Sequence, residues 1–119
     1  MSETTEQAIP VLRVSDAKTS IEWYEQLGFG LEWEHRLGPG FPAFVSLVRG
    51  TVRLFLSEHE GDTVPRSVVY LRLVDLDKLS SSIGSSLEQT EWQTTEITLH
   101  DPDGNRIRVG VPGARAHLA

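Results

Sequence analysis

Four histidines, His35, His59, His100 and His117, are the chain's imidazole donors. No pair stands at the i, i+4 spacing of a helix or the i, i+2 spacing of a strand that would aim two rings at one ion. They read as strand-end, linker, turn and tail residues rather than ligands. Asp101, Asp103 and Asn105 open like a calcium loop. The glycine comes too early, however, and Pro112 stands where the closing glutamate belongs, so the segment reads as a turn. Ser57 and His59 lie among acidic residues with no nucleophile-elbow glycines, and no phosphate-cradling loop is present. Glu96, with Thr94 and Thr98 two residues either side, has the chemistry of a general base. A binding role or a pair with an arginine is the simpler expectation. Cysteine is absent, which excludes thiolate nucleophiles, zinc ribbons and disulfides.

These groups must be positioned by a chain of 119 residues, about one domain's worth. Hydrophobic residues at 39% and charged residues at 24% are those of a globular protein, so a core is expected. Eleven basic against 17 acidic side chains give a net charge of −6, a poor footprint for nucleic acid and one that favours a cationic partner. Nine of the basic residues are Arg and only two, Lys18 and Lys78, are Lys. No stretch approaches the ~20 apolar residues of a membrane span, and the polar, acidic N-terminus is unlike a secretory signal. A cytoplasmic protein is expected.

The elements come as a repeat. Leu12-Arg13-Val14-Ser15-Asp16 returns as Leu71-Arg72-Leu73-Val74-Asp75, 59 positions on, each copy an apolar alternation followed by an acid able to cap a helix. Ala17, Ile21, Tyr24 and Leu27 then form a helical stripe stopped by Gly28, and Leu76, Leu79 and Ile83 form a shorter one stopped by Gly84. Residues 31–36, 42–48 and 51–57 read as strands, with a tight turn at Arg49-Gly50. In the second half, 94–99 and 106–111 form a hairpin across Asp101-Pro102-Asp103-Gly104-Asn105, while 85–93 carries little strand signal. His59 to Arg66 links the halves, and the tail after Pro112 is expected to fray. The fold class is α+β: two βαβββ modules, about 8–58 and 66–112, form an open, curved mixed sheet in one domain. That sheet is a cup with helices on its outer face.

In this order and spacing, Val11 to Asp16, Trp23-Tyr24, Leu27-Gly28-Phe29, Val52 to Ser57 and Asp101 to Asn105 resemble the glyoxalase/bleomycin-resistance/dioxygenase (vicinal oxygen chelate) superfamily. The likeness spans roughly residues 8 to 112 and is strongest to the bleomycin-resistance branch. In metal-using members four cup-facing positions carry the ligands, and the resemblance places them on Ile9, Leu54, Val68 and Arg108. Three aliphatic side chains and a cation cannot hold a divalent metal, so no metal or other cofactor is expected. If these positions mark the cup face, alternation adds Val11, Arg13, Leu56, Tyr70, Arg72 and Arg106. Four arginines, Arg13, Arg72, Arg106 and Arg108, would then surround Glu96 on the concave side, paired internally or open to a carboxylate or phosphate.

The resemblance also implies a ligand surface. Phe44 takes the place of a stacking phenyl ring in the bleomycin-binding branch, and Trp92 lies at or beside that branch's tryptophan. Trp33 and Phe41 flank the Gly38-Pro39-Gly40 loop, which could serve as a lip. Trp23 and Tyr24 are expected to pack. The ligand-binding set is therefore Trp33, Phe41, Phe44, Leu54, Tyr70, Arg72, Trp92, Glu96 and Arg108, with no catalytic residue. The implied protein is not an enzyme. It is a homodimer that sequesters a bleomycin-like drug or another aromatic compound in an interface groove, with no nucleic-acid or membrane partner. The alternatives are a metal-dependent lyase, isomerase or dioxygenase of the same superfamily, and a binder or sensor of an anionic metabolite.

Overall fold

In the computed structural model, which describes residues 4–113, each half of the chain builds its own four-stranded sheet with one helix. The first half runs β1 (Val11–Arg13), α1 (Ala17–Glu25), β2 (Gly30–His35), β3 (Phe44–Arg49) and β4 (Val52–Ser57). The second runs β5 (Val68–Arg72), α2 (Leu76–Ile83), β6 (Glu88–Gln89), β7 (Thr94–His100) and β8 (Arg106–Pro112). Strand order is β1-β4-β3-β2 in one sheet and β5-β8-β7-β6 in the other, the same topology twice. In each, the first strand pairs in parallel with the last, and the other pairs are antiparallel. The α+β class and the two βαβββ units expected from the repeat are present, with both sheets open. The histidine and the chain end that follow Gly113, His117 and its neighbours, lie outside the described residues.

The repeat residues do equivalent work. Leu12 and Leu71 are both buried, as are Val14 and Leu73, one on each side of a single apolar core. Asp16 caps α1: its carboxylate accepts from the Lys18 backbone N–H at 3.2 Å and the Thr19 hydroxyl at 2.8 Å. Asp75 holds the matching place before α2 but makes no such capping bond. Its backbone is left-handed (φ 63°), outside the extended conformation of a capping residue. Gly84 ends α2 in the left-handed region (φ 81°) and donates its N–H to the Ser80 carbonyl. The weak segment 85–93 holds only the two-residue β6, so the second sheet has a short edge.

The modules are stitched together by the late turn. Asn105 is fully buried. Its Nδ2 donates to the Arg13 carbonyl and to Asp101 Oδ2, both at 2.9 Å, while its Oδ1 accepts from the Ser67 N–H at 2.9 Å. Asp101 Oδ2 also accepts from the Tyr24 hydroxyl at 2.7 Å, and Asp103 accepts from the Ser15 N–H at 3.0 Å. Burial, then the Asp101 charge, pushes the Tyr24 phenol far above its ordinary value, so it stays a neutral donor. The turn and the packing of Tyr24 are legible in the sequence; the bond between them, which spans 77 positions, is not.

Candidate ligand-binding surface

Each sheet has a face covered by the core and an opposite, open face that carries the candidate residues. On the second sheet, the open face holds Val68, Tyr70 and Arg72 of β5, Arg106, Arg108 and Gly110 of β8, and Thr94, Glu96 and Thr98 of β7. Their intervening neighbours Leu71, Ile107, Val109, Ile97 and Leu99 are buried in the core. Register puts Tyr70, Arg108 and Thr98 in one cross-strand row, and Arg72, Gly110, Glu96 and Glu88 in the next.

Glu96 is the centre of this face. Although nearly buried, it is fully partnered: Arg108 Nη2 donates to Oε1 at 2.8 Å, and Trp92 Nε1 (3.0 Å) and Thr94 Oγ1 (2.8 Å) donate to Oε2. Burial by itself would raise the carboxyl's pKa. The bonds from Arg108, Thr94 and Trp92 and the attraction of Arg108 outweigh it and hold the group at about 2. A carboxylate so stabilised is a poor general base near neutrality, and the expected arginine pair is what the geometry supplies. The Arg108 guanidinium lies 5.3 Å from the Tyr70 ring centroid and 5.7 Å from that of Trp92. Gly110 makes this arrangement possible: a Cβ there would collide with the Tyr70 hydroxyl and come within 2.8 Å of Glu96 Cγ.

On the first sheet the open face is aromatic. The rings of Trp33 and Phe44 are stacked at 6.1 Å between centroids and 15° between planes, and Phe55 contacts both at 5.5 and 5.3 Å. Trp33 is 43% exposed and Trp92 is 61% exposed, large apolar areas for solvent to cover. Phe41, exposed, lies in the loop before β3, where its carbonyl accepts from Arg36. Beside the stack, Glu32 accepts from Ser46 Oγ (2.7 Å) and is held by Arg53 through Nε and Nη2. Hydrogen bonds from Arg53 and Ser46 keep the Glu32 carboxyl down at about 2.

Of the four arginines expected around Glu96 only Arg108 bonds it among the described residues, and Arg13 is taken up by the Val14 and Ser57 carbonyls of the first module. Two further placements differ from expectation. Leu54, expected on the cup face, is fully buried in the core, as is Leu56. The parallel pairing Val11↔Phe55 and Leu12↔Leu56 sets β4 one residue out of the expected phase, so Arg53, Phe55 and Ser57 take the open face. Alternation in Val52-Arg53-Leu54-Phe55-Leu56-Ser57 already sets Val52, Leu54 and Leu56 on one face and Arg53 and Ser57 on the other; the expected phase came from the position that the resemblance gave to Leu54. Phe55 is therefore the aromatic that sequence reading missed. The Tyr70↔Arg108 pair of the second sheet occupies the same place as Val11↔Phe55 in the first, which identifies Phe55 as the counterpart of Arg108. The other difference brings His35 and His59 together: both line a cavity with Phe44, Glu60 and Asp62. Among the described residues no three His, Asp or Glu side chains are grouped to hold a metal ion. Ile9, Phe55, Val68 and Arg108, the four cup positions after this correction, offer no anionic or neutral nitrogen or oxygen donor either. These residues do not fit the divalent metal that the fold implies in other members.

Taken together, paired βαβββ modules with open sheet faces and side chains grouped on those faces define the class: a two-module protein of the vicinal oxygen chelate architecture. The glyoxalase superfamily model matches residues 2–112, and the chain belongs to that superfamily. Among solved structures, a bleomycin-binding protein complexed with bleomycin is 28% identical, with a TM-score of 0.70 over 89% of this chain and 98% of that one. A bleomycin resistance determinant encoded on the transposon Tn5 is also 28% identical, with a TM-score of 0.72 over 91% and 98%. Lactoylglutathione lyase from Agrobacterium tumefaciens shares the fold at 15% identity, with a TM-score of 0.67 over 91% and 94%. No curated protein matches the chain in sequence at a significant level.

Proposed function

We propose that this protein is a metal-free, non-enzymatic binder that sequesters a flat aromatic molecule, in the manner of the bleomycin-resistance branch. The carrying observation is the half-buried ring cluster Trp33–Phe44–Phe55, with Trp33 exposed, on one open sheet face, matched on the other by Trp92 and Tyr70 around a fully partnered Glu96. Rings that face solvent cost hydration free energy and regain it when a planar ligand stacks on them. The residues around them supply no activated nucleophile, and Glu96 is tied down as an anion, so the chemistry favours holding a molecule over changing it. The ligand set in this reading is Trp33, Phe41, Phe44, Phe55, Tyr70, Arg72, Trp92, Glu96 and Arg108. Leu54 contributes from beneath, as packing. A homodimer is part of the proposal. The molecule is elongated, 52 × 34 × 23 Å, and a second copy laid against the open faces would convert two shallow surfaces into grooves.

Intrinsic tryptophan fluorescence tests the reading, because Trp33 and Trp92 would lie against the ligand. Titrations with bleomycin, 2-naphthamide and 2-naphthoate cover a cationic, a neutral and an anionic aromatic. Saturable quenching by at least one of them is expected, weakened at least tenfold in Trp33→Ala or Trp92→Ala, with the compound recovered unchanged by mass spectrometry. No saturable response to any of the three would sink the proposal. Sedimentation of the free protein at the monomer mass at all concentrations would remove its dimeric part.

A further inference from the structure

The arginines of the second sheet are not equivalent, and their differences bear on the charge of the ligand. Arg108 is spent on Glu96, the nearest acid, and Arg53 is spent on Glu32. Arg72 is exposed. Among the described residues it makes no hydrogen bond or ion pair, and its guanidinium lies 6.0 Å from the centroid of the Tyr70 ring. It also lines a cleft of about 280 Å³ between the two modules, together with Gln7, Thr51, Arg53 and Tyr70, and no carboxylate lines that cleft. Glu88, next to Glu96 in the same cross-strand row, is the remaining acid on this face. Gly110 and Glu96 separate it from Arg72.

We infer that the ligand is an anionic aromatic, a planar ring bearing a carboxylate, whose ring lies on Tyr70 and whose carboxylate is forked by Arg72 in the inter-module cleft. This inference rests on the binding function proposed above and adds the charge of what is bound. A cleft with a free guanidinium and no acid favours an anion, despite the net charge of −6 on the whole chain. The planar guanidinium can give a carboxylate two parallel N–H donors, and Gln7 and Thr51 line the same space. The size of the cleft suits a one- or two-ring acid rather than a large drug.

The test compares 2-naphthoate with 2-naphthamide, which differ in charge and not in ring area. Tryptophan quenching and calorimetry should give at least tenfold tighter binding of the naphthoate at low salt, with the preference shrinking as salt rises. Arg72→Gln should abolish the preference by weakening naphthoate binding at least tenfold, and Arg72→Lys should restore part of it. Far-ultraviolet circular dichroism of each variant confirms folding, as expected for an exposed side chain. Equal or tighter binding of the amide, or of bleomycin, overturns the inference and leaves the binding function standing. A preference that survives in Arg72→Gln overturns the assignment to Arg72. Failure of all three compounds overturns both.

Discussion

Glu96 shows how much a single side chain's neighbours decide. As a sequence position it could be a base, a ligand contact or half of an ion pair. In the fold three donors converge on it, and the carboxyl is held at about 2 against an ordinary 4.5. A depressed folded-state value stabilises the protein above the unfolded value, and the gain disappears as pH falls through the folded one. The difference in unfolding free energy between the wild type and Glu96→Gln should therefore be constant above pH 4.5 and shrink steadily towards pH 2. Glu32, also held low, titrates equally in both proteins and cancels from the difference. Urea unfolding across that range measures it, and a gap that widens with acid would contradict the assignment.

At the scale of the element, the informative strand is β4. Leu54 is enclosed by the core, whereas Phe55 stacks on Trp33 and Phe44 across the open face. Leu54→Gln buries an amide where no partner awaits it and should cost about 3 kcal/mol or more. Phe55→Gln should cost clearly less, because its amide can reach water, yet it should weaken aromatic binding at least tenfold. Urea midpoints for the pair test the face assignment directly, and the reverse order of stabilities would show that β4 lies in the other phase. Strand β2 makes the same point through a bulge. The register shift between Leu31 and Trp33 pairs Leu31 with Leu47 and Trp33 with Ser46. An unbroken strand would put Leu31 and Trp33 on one face; the extra residue, Glu32, sends the tryptophan to the open side and frees its own carboxylate for Arg53.

Across the whole molecule, the repeat builds the same frame twice and dresses it differently. Phe44 and Glu96 occupy equivalent positions, opposite Ser57 and Gly110 respectively, and so do Phe55 and Arg108. One open face is therefore aromatic and the other charged. What ties the frames together is the buried Asp101–Asn105 turn, and Asn105→Ala would strand the Arg13 carbonyl and the Ser67 N–H. A loss of about 2–4 kcal/mol is expected in urea unfolding, more than for loss of one surface bond. A loss below about 0.5 kcal/mol would deny the turn its joining role.

The repeat, the two helical stripes and the aromatic and arginine inventory were all legible in the residues. Each depends on local periodicity or on the donor chemistry of a side chain, and both travel with the sequence. For Glu96 the sequence left a base, a binding contact and an arginine pair open, and did not say which of four arginines would supply the pair. The tertiary structure decided the rest. Which face of β2 is open depends on its pairing with β3, because a bulge leaves alternation without a phase, and pairing with β1 fixes the open face of β4. Which cations of the open face are paired depends on Arg108 reaching Glu96 on the neighbouring strand, with Gly110 leaving room for Tyr70. Net charge is a property of the chain, but the charge a ligand meets is set by which cations the fold has already paired.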